Sequence, residues 1–167
     1  MHPIFAWGAP TYTLQSQQWV PHPPEVAFEF FKDPQNLPKI TPAWLNFILE
    51  YQSTPQIGAG TEFVYKLYWM GIPYRWRSRI EDWAPNERFV DTQLKGPYIL
   101  WHHTHTFTRS GNGTLLGDCV RYRMPFGPFG MLGRALMVRR QLDEVFEFRQ
   151  RKIAEKYSDG KVLFAAP

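Results

Sequence analysis

The feature that most constrains the fold is an alternation of apolar and polar residues that extends over about eighty residues, from Trp44 to Met124. Successive side chains of a β-strand point to opposite faces of a sheet, so this alternation indicates strands with one buried and one solvated face. The sequences Gly71-Ile72-Pro73 and Gly111-Asn112-Gly113 predict tight turns between strands. The predicted strands of this region cover residues 44–52, 61–70, 74–83, 88–95, 98–109 and 114–124.

Helical periodicity occurs on both sides of this region. Residues 11–20 predict a first strand, and residues 24–32 place apolar side chains at helical spacing behind a proline, as at a helix start. A second short helix is predicted from Asp33-Pro34 to about Ile40. Residues 131–157 predict one long helix whose broad apolar face needs a sheet to cover it. The expected fold class is α+β, with an antiparallel sheet of about seven strands wrapped around the C-terminal helix and two short helices after strand one.

The chain length and composition indicate one ordinary domain with an unusually aromatic interior. A chain of 167 residues can bury most of its apolar surface in one core, so we expect a single domain over residues 1–167. Its core would cover residues 11–157, and a tail at 158–167 would dock or fray. The chain contains 7 Trp, 8 Tyr and 13 Phe residues, which is high for a globular protein. So many rings either fill a large core or line a cavity.

Charge and cysteine content exclude several classes of function. The net charge of +4 is too small to indicate nucleic-acid binding, although the predicted C-terminal helix carries a local basic excess. Cys119 is the only cysteine, and residues 1–10 lack the features of a secretory signal. No apolar run approaches the ~20 residues that cross a bilayer. We therefore expect a soluble cytoplasmic protein with at most peripheral membrane contact. The chain has no glycine-rich phosphate loop, which argues against nucleotide chemistry. We expect no cofactor.

Polar residues on the inward faces of the later strands are the strongest functional signal. If Phe89 and Phe107 face the core, a period of two places six polar side chains in the same interior. An unpaired buried polar group costs about 1–3 kcal/mol, so these groups must pair with each other, with water or with a ligand. The six residues are Asp91, Gln93, His103, His105, Asp118 and Tyr122.

Three interpretations of this polar group are possible. The residues could form an internal network that sets strand register, or they could orient a ligand in a largely apolar pocket. Two histidines two positions apart on one face could also bind zinc or iron with a nearby carboxylate. The sequence His103-Thr104-His105 resembles the His-x-His strand of cupins, but the glutamate that follows in cupins is absent, so we expect no metal. Ser78 lacks the Gly-x-Ser-x-Gly sequence of a nucleophile elbow, which argues against a hydrolytic triad.

Several short sequences resemble those of the START-like superfamily, also called SRPBCC, which has the helix-grip fold. The resemblance covers residues 11–157 and points to a bacterial subgroup related to polyketide cyclase/dehydrase and lipid-transport proteins. It is specific for the fold and does not identify the chemistry. The matching segments are Pro23-Pro24-Glu25-Val26-Ala27-Phe28, Asp33-Pro34-Gln35-Asn36-Leu37, Trp101-x-His103-x-His105-x-Phe107, and Gly113-Thr114 with Asp118 and Tyr122.

The resemblance implies a cavity between the sheet and the last helix that holds a lipid, isoprenoid or polyketide. Its polar anchors would be the six inward polar residues named above. Its expected apolar wall consists of Tyr65, Leu67, Trp69, Trp76, Phe89, Trp101, Phe107, Leu136 and Phe146.

This resemblance leaves three hypotheses for the function. The first is a binding or transport protein for a small hydrophobic molecule. The second is a cyclase or dehydratase in which His103 or His105 acts with Asp118 in general acid–base chemistry. The third is a module that binds a partner or a membrane surface through the basic face of the C-terminal helix.

Overall fold

One antiparallel sheet of seven strands forms the centre of the molecule. The computed structural model describes residues 10–69, 71–124 and 131–158. The strands are β1 Tyr12–Val20, β2 Ile48–Gln52, β3 Glu62–Trp69, β4 Ile72–Ala84, β5 Arg88–Lys95, β6 Leu100–Ser110 and β7 Gly113–Arg123. Their order in the sheet is β1-β7-β6-β5-β4-β3-β2, so each strand from β2 to β7 lies next to the one that follows it in the chain, and β1 pairs with β7. The predicted sheet is confirmed.

Helices occupy the connection between β1 and β2 and the C-terminal part of the chain. Helix α1 spans Pro24–Lys32 and begins with proline as predicted. A 3-10 helix at Pro34–Ile40 follows, and the side chain of Asp33 caps it by accepting a hydrogen bond from the backbone N–H of Gln35. Helix α2, Met131–Tyr157, lies against the inner face of the curved sheet. This arrangement is the helix-grip fold. None of the helices in the described ranges has the length and apolar character needed to cross a membrane.

The start of β2 differs from the prediction. Alternation suggested a strand from residue 44, but Ala43–Leu45 forms a second 3-10 turn and β2 begins at Ile48. Pro42 precedes this turn, and Asn46 ends it in the left-handed conformation at φ 43°. Asparagine tolerates that conformation better than most residues. Residues 125–130 lie outside the described residues, as does the predicted tail from residue 159 onward.

The inner face of the sheet carries two separate apolar clusters. The first surrounds α1 and the C-terminal end of α2, and the second surrounds the middle of α2. Buried members of the first include Val20, Phe28, Ile40, Phe63, Ile80, Phe89, Phe107, Leu116 and Ile153. Buried members of the second are Val120, Tyr122, Met124, Val138, Leu142 and Phe146. The separation matters because the polar residues described below lie between the two.

The outer face of the sheet is charged and solvated. Arg77 and Arg79 of β4 both donate to Glu62 of β3, and Arg75 donates to Glu50 at 2.9 Å. These pairs are exposed, and such pairs contribute little to stability. The apolar and polar faces of the sheet are therefore separated as the alternation predicts.

Phe28 packs at the centre of the first cluster, where it contacts three other rings edge to face. Its ring lies 5.1 Å from Trp83 and 5.2 Å from Phe107, and the side chain is 2% exposed.

We expect Phe28→Ala to lower the free energy of unfolding by about 3–5 kcal/mol because it leaves a cavity. Urea unfolding measures this. Val26→Ala on the exposed side of α1 is the control, with an expected change below about 0.5 kcal/mol; equal effects of both variants would contradict the packing described.

Candidate functional site

A cavity of about 200 Å³ lies between the inner face of the sheet, the 3-10 helices and α2. Its wall is mainly aromatic and aliphatic. A buried water needs roughly 10–15 Å³ measured this way, so the cavity has room for much more than a few waters. Trp44 lines the cavity and is 40% exposed, which places it at the boundary with solvent. Its indole N–H donates to Glu144 Oε1 at 3.2 Å and so connects the 3-10 turn to α2.

Most of the predicted wall residues line this cavity. Phe107 instead packs in the first apolar cluster, and the side chain of Trp69 lies outside the described part. The prediction for Leu136 is wrong, since this side chain is 70% exposed and lies away from the cavity. Val138 faces the sheet, and two residues along a helix correspond to a rotation of about 200°, so Leu136 points to solvent. The predicted wall residues that line the cavity are Tyr65, Leu67, Trp76, Phe89, Trp101 and Phe146.

The six predicted polar residues divide into those at the cavity and those elsewhere. Asp91, His103 and His105 line the cavity, and Asp118 lies behind the histidines. Gln93 and Tyr122 do not line it.

The side chains of Gln93 and Tyr122 have other contacts. The amide of Gln93 donates to the backbone oxygen of Tyr98 at 2.6 Å and so holds the loop between β5 and β6. The ring of Tyr122 stacks on Tyr12 with 5.5 Å between centroids.

Asp91, His103, His105 and Asp118 form a closed set of contacts, which we call the His–Asp cluster. Asp118 Oδ1 accepts from His103 Nε2 at 2.8 Å and from His105 Nδ1 at 3.0 Å. The other two ring nitrogens face Asp91 Oδ2, at 3.7 Å for His103 Nδ1 and 3.4 Å for His105 Nε2. The imidazole centroids are 3.8 Å apart. All four ring nitrogens therefore face a carboxylate.

Strand register explains why these residues meet. Asp91 of β5 pairs with His103 of β6, and His105 pairs with Asp118 of β7. The cluster also joins the two apolar clusters, because His105 stacks on Phe89 at 4.2 Å and His103 contacts Phe146 at 5.8 Å. The cluster is thus an internal polar layer between two apolar regions.

Burial and mutual contact shift the pKa values of the two histidines of the cluster in opposite directions. Burial, together with the positive charge of His105, lowers the pKa of His103 to about 4. Burial also opposes protonation of His105, but hydrogen bonds to Asp118 and Asp91 outweigh it and raise the pKa of His105. Burial would raise the pKa of Asp118, yet the bonds from both histidines hold it well below its ordinary value. Protonation within the cluster therefore favours His105 over His103.

The cluster also has the residue types of a metal site. Asp91, His103 and His105 each place one ligand atom within 4.8 Å of the others. Asp118 bonds the opposite nitrogen of each imidazole. Carboxylates that orient the histidine ligands of a metal ion occupy the same position. The two carboxylates face these ring nitrogens, so a protonated imidazole is an alternative to a metal ion as the positive charge between them.

Arg149 is a cavity residue that the sequence analysis missed. Its side chain is only 8% exposed, and its Nη1 donates to Asp118 Oδ1 at 3.3 Å. The guanidinium lies over the ring of Phe146 at 4.9 Å. Arg149 does not lie on the basic face of α2, since it follows Phe146 by three residues and precedes Ile153 by four. That spacing places it on the apolar side of the helix and was the available signal.

We expect the stability of the protein to fall as the pH falls from 6.5 to 4.5. His103 has a pKa of about 4 in the folded state and about 6.5 when unfolded, so unfolding takes up a proton in this window. The limit of this effect is about 3 kcal/mol. The carboxylates contribute only at lower pH, because their folded pKa values lie below the unfolded value of about 3.9.

Urea unfolding at each pH, with the His103 ring followed by NMR, tests this expectation. His102→Gln, on the outer face of β6, is the control and should keep the slope. A stability independent of pH across the window would contradict a neutral buried His103.

Comparison with known proteins places the chain in a family. The model of the family described as polyketide cyclase / dehydrase and lipid transport matches residues 20–148. No curated protein matches the chain by sequence. This match supports a ligand-binding or cyclase role without deciding between the two.

Solved structures share the fold at low sequence identity. A protein from Thermus thermophilus superposes with a TM-score of 0.65 at 20% identity, covering 88% of this chain and 100% of that chain. The ZhuI aromatase/cyclase from Streptomyces sp. R1128 gives 0.69 at 14% identity, covering 92% and 100%. The di-domain aromatase/cyclase StfQ from the steffimycin biosynthetic pathway gives 0.66 at 14% identity, covering 89% of this chain and 51% of StfQ. The chain belongs to the polyketide cyclase / dehydrase and lipid transport family and has its START-like helix-grip fold.

Proposed function

We propose that this protein binds a small hydrophobic molecule in the cavity between the sheet and α2, as a carrier or a sequestering protein. The observation that carries the proposal is the cavity itself, about 200 Å³ in volume and walled mainly by aromatic rings. Close packing is the rule in protein interiors, and an internal space lined mainly by apolar side chains with a few polar groups is characteristic of ligand sites.

The arrangement of the cavity wall favours a flat or polycyclic ligand. Trp76, Tyr98 and Trp101 pack edge to face or tilted at centroid distances of 4.9–5.7 Å and form one side of the cavity. Rings of this kind interact well with other aromatic surfaces. The names of ZhuI and StfQ describe aromatase/cyclases, and a ligand with aromatic or polyketide character agrees with the same wall chemistry.

A variant that fills the cavity tests binding directly. Val145 lines the cavity from α2, and we expect Val145→Trp to weaken binding of the apolar fluorophore N-phenyl-1-naphthylamine by at least about tenfold. Val26→Trp, which adds the same side chain on the exposed side of α1, should leave binding unchanged. Fluorescence titration gives both constants. Absence of binding by the unmodified protein, or equal binding by both variants, would contradict the proposal.

A second candidate function is acid–base catalysis of cyclisation or dehydration. The observation that favours it is the pair of imidazoles at the cavity wall, 3.8 Å apart between centroids, of which His103 has a lowered pKa and His105 a raised pKa. A neutral histidine can accept a proton from a carbon next to a carbonyl, and a protonated one can donate to a departing hydroxyl group. Asp118 would hold both rings in place by its bonds to them.

Dehydration of a naphthyl-substituted β-hydroxy ketone to the conjugated enone tests this candidate by absorbance. We expect slow turnover by the unmodified protein and loss of at least about a hundredfold in the variant His103→Asn, His105→Asn, Asp118→Asn. His102→Asn should keep full activity because this residue lies on the opposite face of β6. Binding of N-phenyl-1-naphthylamine by the triple variant shows that the cavity persists. Unchanged turnover in the triple variant would eliminate the candidate.

A further inference from the structure

Arg149 has unused hydrogen-bond donors in a buried position. A guanidinium carries five N–H donors, and the side chain makes one hydrogen bond within the described part of the chain, to Asp118 at 3.3 Å. Its Nε is fully buried and has no partner among the described residues. Buried donors are nearly always satisfied in proteins, so this group needs an acceptor from elsewhere. The His–Asp cluster differs in this respect, because all its ring nitrogens face carboxylates.

The side chain that carries these donors lines the cavity. Arg149 lines it together with Phe146, whose ring lies 4.9 Å from the guanidinium carbon. The guanidinium is restricted in orientation before a ligand binds, because it contacts Phe146 on one side and bonds to Asp118 on another. A molecule in the cavity can therefore present an acceptor to a donor whose position is already determined.

The charges around Arg149 decide what kind of acceptor fits. Asp91 and Asp118 contribute two negative charges, and Arg149 contributes one positive charge. If one imidazole is protonated, the net charge of the group is zero. If both imidazoles are neutral, the net charge is negative. In neither case is there a positive charge left over. A carboxylate or phosphate would add an uncompensated negative charge to a buried site, which is strongly unfavourable.

We propose that Arg149 is the residue that recognises the polar end of the ligand, and that it donates to an uncharged carbonyl oxygen. The ligand class is then a hydrophobic ketone or quinone, in contrast to a fatty acid or a phosphorylated lipid. The inference rests on the proposed binding function, which it refines. It also assigns the role of anchor to α2, whereas the sequence pattern placed all anchors on the strands.

Three ligands of nearly equal shape test this assignment in the full-length protein. The first, 2-acetylnaphthalene, carries a ketone. The second, 2-ethylnaphthalene, has no hydrogen-bond acceptor, and the third, 2-naphthoate, carries a charged carboxylate. We expect the ketone to bind roughly 10–100-fold more tightly than the hydrocarbon, because one hydrogen bond from a charged donor contributes a difference of this size. We expect the carboxylate to bind more weakly than the ketone. Displacement of N-phenyl-1-naphthylamine gives all three constants.

Variants of α2 assign the preference to one residue. In Arg149→Met the ketone and the hydrocarbon should bind within about twofold of each other, since the variant keeps an apolar side chain and removes the donors. Arg151→Met, an exposed position on the same helix, should keep the preference of the unmodified protein. If Arg149→Met fails to fold, Arg149→Lys serves instead and should lower the preference.

The outcomes separate this inference from the proposed function. Failure of the unmodified protein to bind any of the three compounds overturns the binding function. Binding without a preference for the ketone, tighter binding of 2-naphthoate, or an equal preference in Arg149→Met overturns the role of Arg149 and leaves the binding function standing.

Discussion

The bonds of Asp118 to both imidazoles are the interaction on which the interior of this protein depends. One carboxylate oxygen accepts from His103 at 2.8 Å and from His105 at 3.0 Å, and the same oxygen accepts from Arg149 of α2 at 3.3 Å. These contacts tie β6, β7 and the helix together at one point. They also permit charged groups to remain buried, because each charge has an opposite charge next to it.

This polar layer explains why the inner face of the sheet has two apolar clusters with a cavity beside them. Phe89 packs against one imidazole and Phe146 against the other, so each apolar cluster ends at the His–Asp cluster. Polar groups with fixed directions cannot be compressed into an aromatic core without losing their bonds. The wall of the cavity is therefore apolar on most sides and has its charges concentrated where β5, β6 and α2 approach each other.

Local patterns predicted much of the architecture because the relevant forces act between near neighbours in the sequence. The start of α1 at Pro24 and the inward direction of His103 and His105 follow from proline geometry and from the period of a strand. The start of β2 was placed too early because residues 44–47 alternate like a strand, while Pro42 and Asn46 favour a turn there. Short segments with conflicting signals are decided by their surroundings.

Sequence patterns were sufficient to identify the strands to within a few residues, their buried faces, and the presence of carboxylates and imidazoles in one interior. Long-range packing sets which of these groups face each other and which face the cavity. Asp118 meets Arg149 across 31 positions of sequence, and Leu136 points to solvent while Val138 is buried. Such outcomes depend on the register between strands and on the rotation of α2 against the sheet. Local periodicity restricts both, but packing of the whole interior sets them.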